Sequence, residues 1–228
     1  PLMWSPDAVT GLLEIAREAS GGMAVGCSEG GVEANREVAE ASDVVLVHGN
    51  GSHKQRYYTF LKRVRAWDLG KPIVCNEDSP CFTQLDVAFE TRTSWGYYNN
   101  HTKQEPPVAW GIANAEDLFF ARRMARGLGI PVPELPEEQR YVLLGLNDRW
   151  EWKGERWIRL AAEEPETIRM VEFFCNDRRV DVAWEEPFYV NHDTTWIQEG
   201  YPTVSGDRWK AVVHLADGRV LERAAVQG

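Results

Sequence analysis

Several features that define whole classes of protein are missing from this sequence. Its four cysteines form no CxxC pair, which argues against a zinc knuckle or a thioredoxin-type motif. No apolar run approaches the roughly 18 residues of a membrane span. Acidic residues outnumber basic residues, and the net charge is −10. This charge argues against nucleic acid or an anionic membrane as a partner, because both require a basic face.

What is present is ordinary globular material. The 228 residues are 43% apolar and 26% charged, which suits one large domain or two modest ones. Cys27, Cys75 and Cys175 lie in apolar, strand-like runs, where buried free thiols are expected. No basic-plus-apolar leader stands before Pro1, so we expect either a processed chain or a segment that begins inside a longer protein.

The segment LGIPVPELPEEQ, at 128–139, divides the chain. Its prolines at 131, 133 and 136 would end a helix and stiffen a connector. We therefore predict a first domain over 1–130, a proline-rich linker over 131–139 and a second domain over 140–228.

Helical and strand patterns alternate before this linker. Ser5-Pro6 is a helix start, and apolar runs at 23–28, 44–47 and 73–75 and the segment SWGYYNN are strand candidates. Further helices are predicted over 32–41, about 57–64 and 84–92, and after Asn114. Such alternation predicts an α/β fold with four parallel strands.

After the linker, strand patterns dominate. RYVLLGL, RWIRLAA and TIRMVEFFCND are strand candidates, and Val171, Phe173 and Cys175 would share one face. Asn176-Asp177 predicts a turn, and Ala216-Asp217-Gly218 predicts a hairpin between KAVVHL and RVLERAAV. This part is expected to be a small antiparallel β-sandwich.

Polar residues follow the predicted parallel strands, at the end where such folds bind their ligands. His48 closes one strand and Glu77 closes the next, while Trp95 lies in the last. A carboxylate there can serve as nucleophile, general acid or metal ligand, or it can simply cap a helix or pair with an arginine. An aromatic ring beside carboxylates suits sugar recognition, although Trp95 could also belong to the core.

The order of DVVLVHGNG, KPIVCNEDSP and TSWGYYNN resembles the last three strands of TIM-barrel glycoside hydrolases, in the clan of retaining enzymes that includes cellulases and β-mannanases. The resemblance implies a partial (β/α) barrel of about the last four βα units, with Glu77 in the nucleophile position. It also implies a carbohydrate partner, with His48 and Trp95 in the sugar site. From their positions at the strand ends, we predict that Asn50, Asn76, Asp78, Tyr97 and Asn99 bind the carbohydrate as well. The clan's acid/base glutamate ends the fourth strand, so it would lie on sequence outside this chain, in a missing N-terminal half of the barrel. The isolated chain is then expected to be inactive.

The second part resembles bacterial immunoglobulin-like domains appended to secreted glycosidases, which implies a secreted or periplasmic protein. Such domains act as spacers or bind carbohydrate. Six of the ten tryptophans fall in this part and could either form a glycan-stacking face or fill the core. They are Trp150, Trp152, Trp157, Trp184, Trp196 and Trp209.

Two other functions stay open. A carbohydrate-binding or scaffold protein with a degenerate barrel would account for the missing second carboxylate. A metal-dependent hydrolase would use His48, His53, His101, Glu77 and Asp78, but no HxH or HExxH spacing supports a closed metal site. We therefore expect neither a metal nor another cofactor.

Overall fold

The computed structural model describes residues 5–96, 111–147, 151, 153–192 and 199–228. These residues form two compact units. The first comprises 5–96, and the second comprises the described residues from 111 onward. None of the helices in these ranges is both long and apolar enough to cross a bilayer.

The first unit alternates helices with strands. It contains α1 (Pro6–Ala19), α2 (Arg36–Ala41), β1 (Val45–His48), α3 (Lys54–Arg65), β2 (Ile73–Glu77) and α4 (Gln84–Thr91). α1 begins where predicted, because Ser5 Oγ accepts a hydrogen bond from the Ala8 amide at 3.3 Å and Pro6 takes the first helical position. It ends at Ala19, and Gly21 and Gly22 follow with positive φ angles of 71° and 89°, a conformation that suits glycine.

β1 and β2 pair in parallel and form the centre of this unit. Residues 94–96 lie on the other side of β2, where Ser94 forms a single parallel bridge with Val74. The strand predicted at 23–28 is wrong, because these residues form no ladder. Asp43 binds the backbone of Val25 instead. Its amide donates a hydrogen bond to the Val25 carbonyl, and its carboxylate accepts a hydrogen bond from the Val25 amide.

The two faces of the β1–β2 sheet differ in burial. Val45, Val47 and Cys75 are buried on one face, where they pack with Tyr57 and Leu61 of α3. Leu46 and Val74, which point to the other face, are only partly buried. α3 therefore covers one face of the sheet, and the opposite face is more open.

The second unit begins with helices and continues as strands. Its elements are α5 (Ala115–Gly127), α6 (Glu137–Arg140), β3 (Tyr141–Leu144), β4 (Glu155–Arg156), β5 (Arg159–Ala162), β6 (Ile168–Cys175), β7 (Arg178–Ala183), β8 (Phe188–Tyr189), β9 (Tyr201–Pro202), β10 (Arg208–Leu215) and β11 (Val220–Val226). α5 starts as predicted, because Asn114 Oδ1 accepts the Asp117 amide at 3.0 Å.

The strands of the second unit form an antiparallel sandwich. One sheet has the order β11-β10-β6-β7 and the other β3-β5-β8, while β4 and β9 form a separate pair. Side chains from both larger sheets share one core, including Phe173 and Val213 from the first and Leu160 and Phe188 from the second. The predicted turn between β6 and β7 is confirmed.

That turn has a clear conformational signature. Asn176 and Asp177 both have positive φ angles, 49° and 65°, as a two-residue type I′ hairpin requires. Val171 and Phe173 on β6 are fully buried, whereas Cys175 on the same face is partly buried at the end of the strand.

The proline-rich segment lies inside the second unit. α5, which precedes it, packs on β5 through charged side chains. Arg122 on α5 donates to Glu163 at 2.6 Å and also to the carbonyl of Pro133. The compact division of the chain therefore falls before α5, about thirty residues earlier than the linker predicted from the prolines.

Candidate functional site

A register shift places His48 opposite Glu77. Val47 pairs with Cys75, but His48 pairs with Glu77, so Asn76 is the extra residue of a bulge. Bulges re-aim side chains at strand ends. Asn76 is exposed, and the side chains of His48 and Glu77 lie on the same side of the sheet edge.

The loop that follows the neighbouring strand β1 binds the carboxylate of Glu77. Asn50 Nδ2 donates a hydrogen bond to Glu77 Oε1. His48 Nε2 lies 3.9 Å from Glu77 Oε2, which is too long for a hydrogen bond but within ion-pair range. The Glu77 side chain is 35% exposed, so it is oriented by protein contacts and still open to solvent.

The loop after β1 is fixed to the end of β2 by backbone contacts. The Gly49 amide donates to the Glu77 carbonyl at 2.9 Å, and the Gly51 amide donates to Ser79 Oγ at 3.1 Å. Gly51 has a φ of 70°, a conformation that favours glycine. The HGNG sequence thus brings Asn50 to Glu77.

Asp78 differs from Glu77 in that it is fully buried. Its Oδ2 accepts a hydrogen bond from Trp95 Nε1 at 2.6 Å. The Asp78 carboxylate therefore contacts Trp95 and is not exposed to solvent, where a substrate would approach. This position does not fit the direct substrate contact predicted for Asp78.

Trp95 is partly buried and packs against the core of the first unit. Its ring meets Phe82 edge-on, with centroids 6.3 Å apart. Part of Trp95 is thus structural, as the core interpretation required, although the residue as a whole is not fully buried.

Beneath the strand ends lies a buried polar layer. Burial raises the pKa of the Cys75 thiol to about 11, and the nearby Asp78 carboxylate adds to this effect. Burial also raises the pKa of the Tyr57 hydroxyl well above its ordinary value. Both groups are therefore protonated and neutral near pH 7.

The described part of the chain brings together His48, Asn50, Glu77, Asp78 and Trp95 of the predicted site. Asn76 lies beside them on the bulge. Tyr97 and Asn99 lie outside the described residues. So does His101 of the alternative metal site, and no cluster of three or more potential metal ligands occurs among the residues that are described.

Two residues of this site, Gly49 and Ser79, were not predicted from the sequence. Gly49 approaches Asp78 so closely that a Cβ atom there would lie 2.6 Å from the carboxylate atoms, and Ser79 receives the Gly51 amide. The glycine pair in HGNG was the available signal.

A cavity of about 480 Å³ between α3 and α4, lined by Tyr58, Lys62, Arg65 and Arg92 among others, includes none of the site residues.

The tryptophans of the second unit do not form one group. Trp209 is buried in the sandwich core, where its indole N–H donates to Thr203 Oγ1 at 3.0 Å. Trp157 is partly buried, and Trp184 is 65% exposed. Trp150, Trp152 and Trp196 lie outside the described residues.

Comparison with known proteins identifies no family. No protein-family model matches the chain, and no curated protein matches it. The crystal structure of the spore cortex lytic enzyme SleM of Clostridium perfringens aligns with 94% of this chain and 83% of that chain, at 9% identity and a TM-score of 0.27. A similarity at this TM-score carries no argument about fold or function.

Proposed function

We propose that the first unit is the carboxyl-terminal part of a (β/α) barrel that acts on a poly- or oligosaccharide, with Glu77 in the position of the nucleophile. The observation that carries this proposal is the bulge that sets His48 opposite Glu77, while Asn50 binds one oxygen of the carboxylate. The result is an oriented, partly exposed carboxylate at the carboxyl end of a parallel strand, where barrel enzymes keep their chemistry.

The contacts of Glu77 are compatible with a nucleophile. Asn50 Nδ2 donates a hydrogen bond to Oε1, and this contact holds the carboxylate in place. A nucleophile attacks the anomeric carbon with the other oxygen, which the donor leaves open. His48, close to Oε2, would then border the bound sugar.

A retaining mechanism needs a second carboxyl group about 5 Å from the first. Asp78 is buried against Trp95, and Glu29 accepts the Asn35 amide at the start of α2. We therefore propose that the acid/base residue lies outside the described residues, on the segment that completes the barrel. The partly open face of the sheet, with Leu46 and Val74, supports such a completing segment.

For the second unit we propose an immunoglobulin-like module that serves as a spacer or binds carbohydrate. If β3, β5, β6, β7, β8, β10 and β11 are lettered A, B, C, C′, E, F and G, the sheet orders become A-B-E and G-F-C-C′. Placement of C′ beside C in the G-F-C sheet is the arrangement of immunoglobulin-like sandwiches. Secretion or export to the periplasm belongs to the same proposal.

A second candidate function is non-catalytic carbohydrate binding. It is favoured by the commitment of Asp78 and Glu29 to structural contacts, which leaves Glu77 without an evident carboxylate partner in the described part of the chain. In that case His48, Asn50, Asn76, Trp95 and Glu77 would hold a sugar that is never cleaved.

Affinity electrophoresis in gels that contain soluble β-mannan, cellulose derivatives or xylan tests the proposal. We expect the 228-residue chain to be retarded by at least one polysaccharide, and Trp95→Phe to reduce the retardation. Trp184→Phe is the matched control, because Trp184 is an exposed tryptophan of the second unit. Loss of retardation in Trp184→Phe alone would move the binding site to the sandwich, and no retardation by any polysaccharide would contradict the proposal.

A further inference from the structure

We propose that Asp78 is a positioning residue that fixes the indole of Trp95 at the strand-end site, so that Trp95 offers a ligand its ring face and not its N–H group. This inference rests on the proposed function and specifies how that site would recognise a sugar. It assigns Asp78 a role different from the substrate contact predicted for it.

The first support is the hydrogen bond itself. Trp95 Nε1 and Asp78 Oδ2 are 2.6 Å apart, and Asp78 has no exposed surface. A hydrogen bond to a carboxylate is about twice as strong as one between neutral groups, and water competes little with it when it is buried. The indole can rotate only if it gives up this contact.

The second support is the space around the carboxylate. A Cβ atom at Gly49 would lie 2.6 Å from Cγ and from both oxygens of Asp78. The φ angle of Gly49 is not in the left-handed region, so glycine is needed here for room and not for backbone freedom. The carboxylate thus sits directly against the β1 loop and cannot shift toward it.

The third support is the link to Glu77. The same Gly49 donates its amide to the Glu77 carbonyl. The consecutive residues Glu77 and Asp78 are therefore fixed by one glycine, yet their side chains diverge: Glu77 meets Asn50 and Asp78 meets Trp95. One strand end would orient both the reactive carboxylate and the aromatic platform.

This arrangement specifies the kind of ligand contact. Because the only donor of the Trp95 side chain is already engaged, recognition by Trp95 would rely on stacking. A pyranose that presents its axial C–H bonds to one side has the apolar face such a ring requires. Polar contacts with the sugar would then come from other residues, such as His48 or Asn76.

Two-dimensional ¹H–¹⁵N spectra of the tryptophan indoles test the positioning directly, with Trp95→Phe used to identify the Trp95 signal. We expect the Trp95 N–H to exchange slowly with D₂O in the native protein. In Asp78→Ala the exchange should become at least about tenfold faster, while Asp78→Asn, which keeps an oxygen acceptor, should fall between the two. Gly49→Ala should mimic Asp78→Ala, because the new methyl group displaces the carboxylate.

Polysaccharide binding gives the second readout. For a polysaccharide that retards the native chain, Asp78→Ala should weaken binding about tenfold and Asp78→Asn less, with melting temperatures of the variants recorded as controls for folding. An unchanged Trp95 exchange rate in both Asp78 variants would overturn the inference. If no polysaccharide binds the native chain, the proposed function fails, but the exchange rates still decide whether Asp78 positions Trp95.

Discussion

The guanidinium of Arg159 on β5 donates two hydrogen bonds to the carboxylate of Glu116 on α5, at 2.6 and 2.7 Å. Both side chains are almost fully buried, with 2% and 5% of their surfaces exposed. Two parallel hydrogen bonds of this kind fix direction as well as distance. The first turn of α5 is therefore attached to the sandwich at a defined point.

Removal of one partner of this pair should be strongly destabilising. Glu116→Ala leaves the Arg159 charge buried without its partner, and we expect a loss of about 3–5 kcal/mol in the free energy of unfolding. Glu166→Ala is the matched control, because Glu166 pairs with Arg123 but is 45% exposed, and its loss should cost less than about 1 kcal/mol. Urea unfolding of the whole chain measures both. Equal, small effects would show that the buried pair does not hold α5 in place.

A second ion cluster predicts a pH dependence. Burial alone would raise the pKa of Glu163, but the hydrogen bond from Arg122 and the charges of Arg126 and Arg140 outweigh it, so this pKa lies below its ordinary value of 4.5. A carboxyl group with a lowered pKa in the folded state binds its proton more readily when unfolded. It therefore stabilises the fold above pH 4.5, and this contribution is lost as the pH falls further.

The measurement compares the native chain with Glu163→Gln. Between pH 7 and pH 3 the native chain should lose stability more steeply than the variant, whereas the variant should already be less stable at pH 7. Other carboxyl groups with lowered pKa values, such as Glu172 and Asp207, remain in both proteins and cancel in the difference. Parallel curves would show that Glu163 does not contribute to acid sensitivity.

Local signals in the sequence were sufficient for many elements. Ser5-Pro6 and Asn114 marked true helix starts, and Asn176-Asp177 marked a true hairpin, because caps and turns depend on a few neighbouring residues. The strand predicted at 23–28 was wrong. An apolar run does not reveal that Asp43 binds the backbone of Val25, which a neighbouring strand would otherwise pair with.

The placement of α5 could not be predicted from its own residues. Three prolines suggested a linker after it, but the partners of Glu116 and Arg122 lie 43 and 41 positions further along the chain. Pairing at such separations is decided by the tertiary fold. At the candidate site, position at the strand ends predicted Glu77, His48 and Asn50. The burial of Asp78 could not be predicted in this way, because it depends on Gly49 and Trp95, which approach from other segments.

Thiol reactivity tests the core of the first unit. Cys75 and Cys81 are buried, and Cys27 and Cys175 are partly exposed. No disulfide joins these four cysteines, all of which lie in the described part of the chain. Because the thiolate is the reactive form, the raised pKa of Cys75 adds chemical protection to burial. We expect DTNB at pH 8 to modify Cys27 and Cys175 in the native protein, and Cys75 and Cys81 only after unfolding. Mass spectrometry of the modified peptides assigns the sites, and rapid modification of Cys75 would contradict the buried position.

Replacement of Glu77 tests the proposed chemistry. Glu77→Gln preserves size, and the 35% exposed side chain contributes little to packing, so the melting temperature should change by no more than about 2 °C. In a form of the protein that includes the segment supplying the acid/base carboxyl, the same change should lower glycoside hydrolysis by about a thousandfold or more, because binding does not replace a nucleophile. The 228-residue chain alone should release no appreciable reducing sugar, with or without Glu77.

Chemical rescue distinguishes a nucleophile from a residue that only binds sugar. Glu77→Gly in the active form leaves room for azide, which should restore cleavage of a substrate with a good leaving group and yield a glycosyl azide of inverted configuration. Asn76→Gly is the control, since the exposed bulge residue has no part in the attack and azide should not affect its rate. Near-native hydrolysis by Glu77→Gln, or no azide product from Glu77→Gly, would show that Glu77 is not the nucleophile and would favour the non-catalytic binding function.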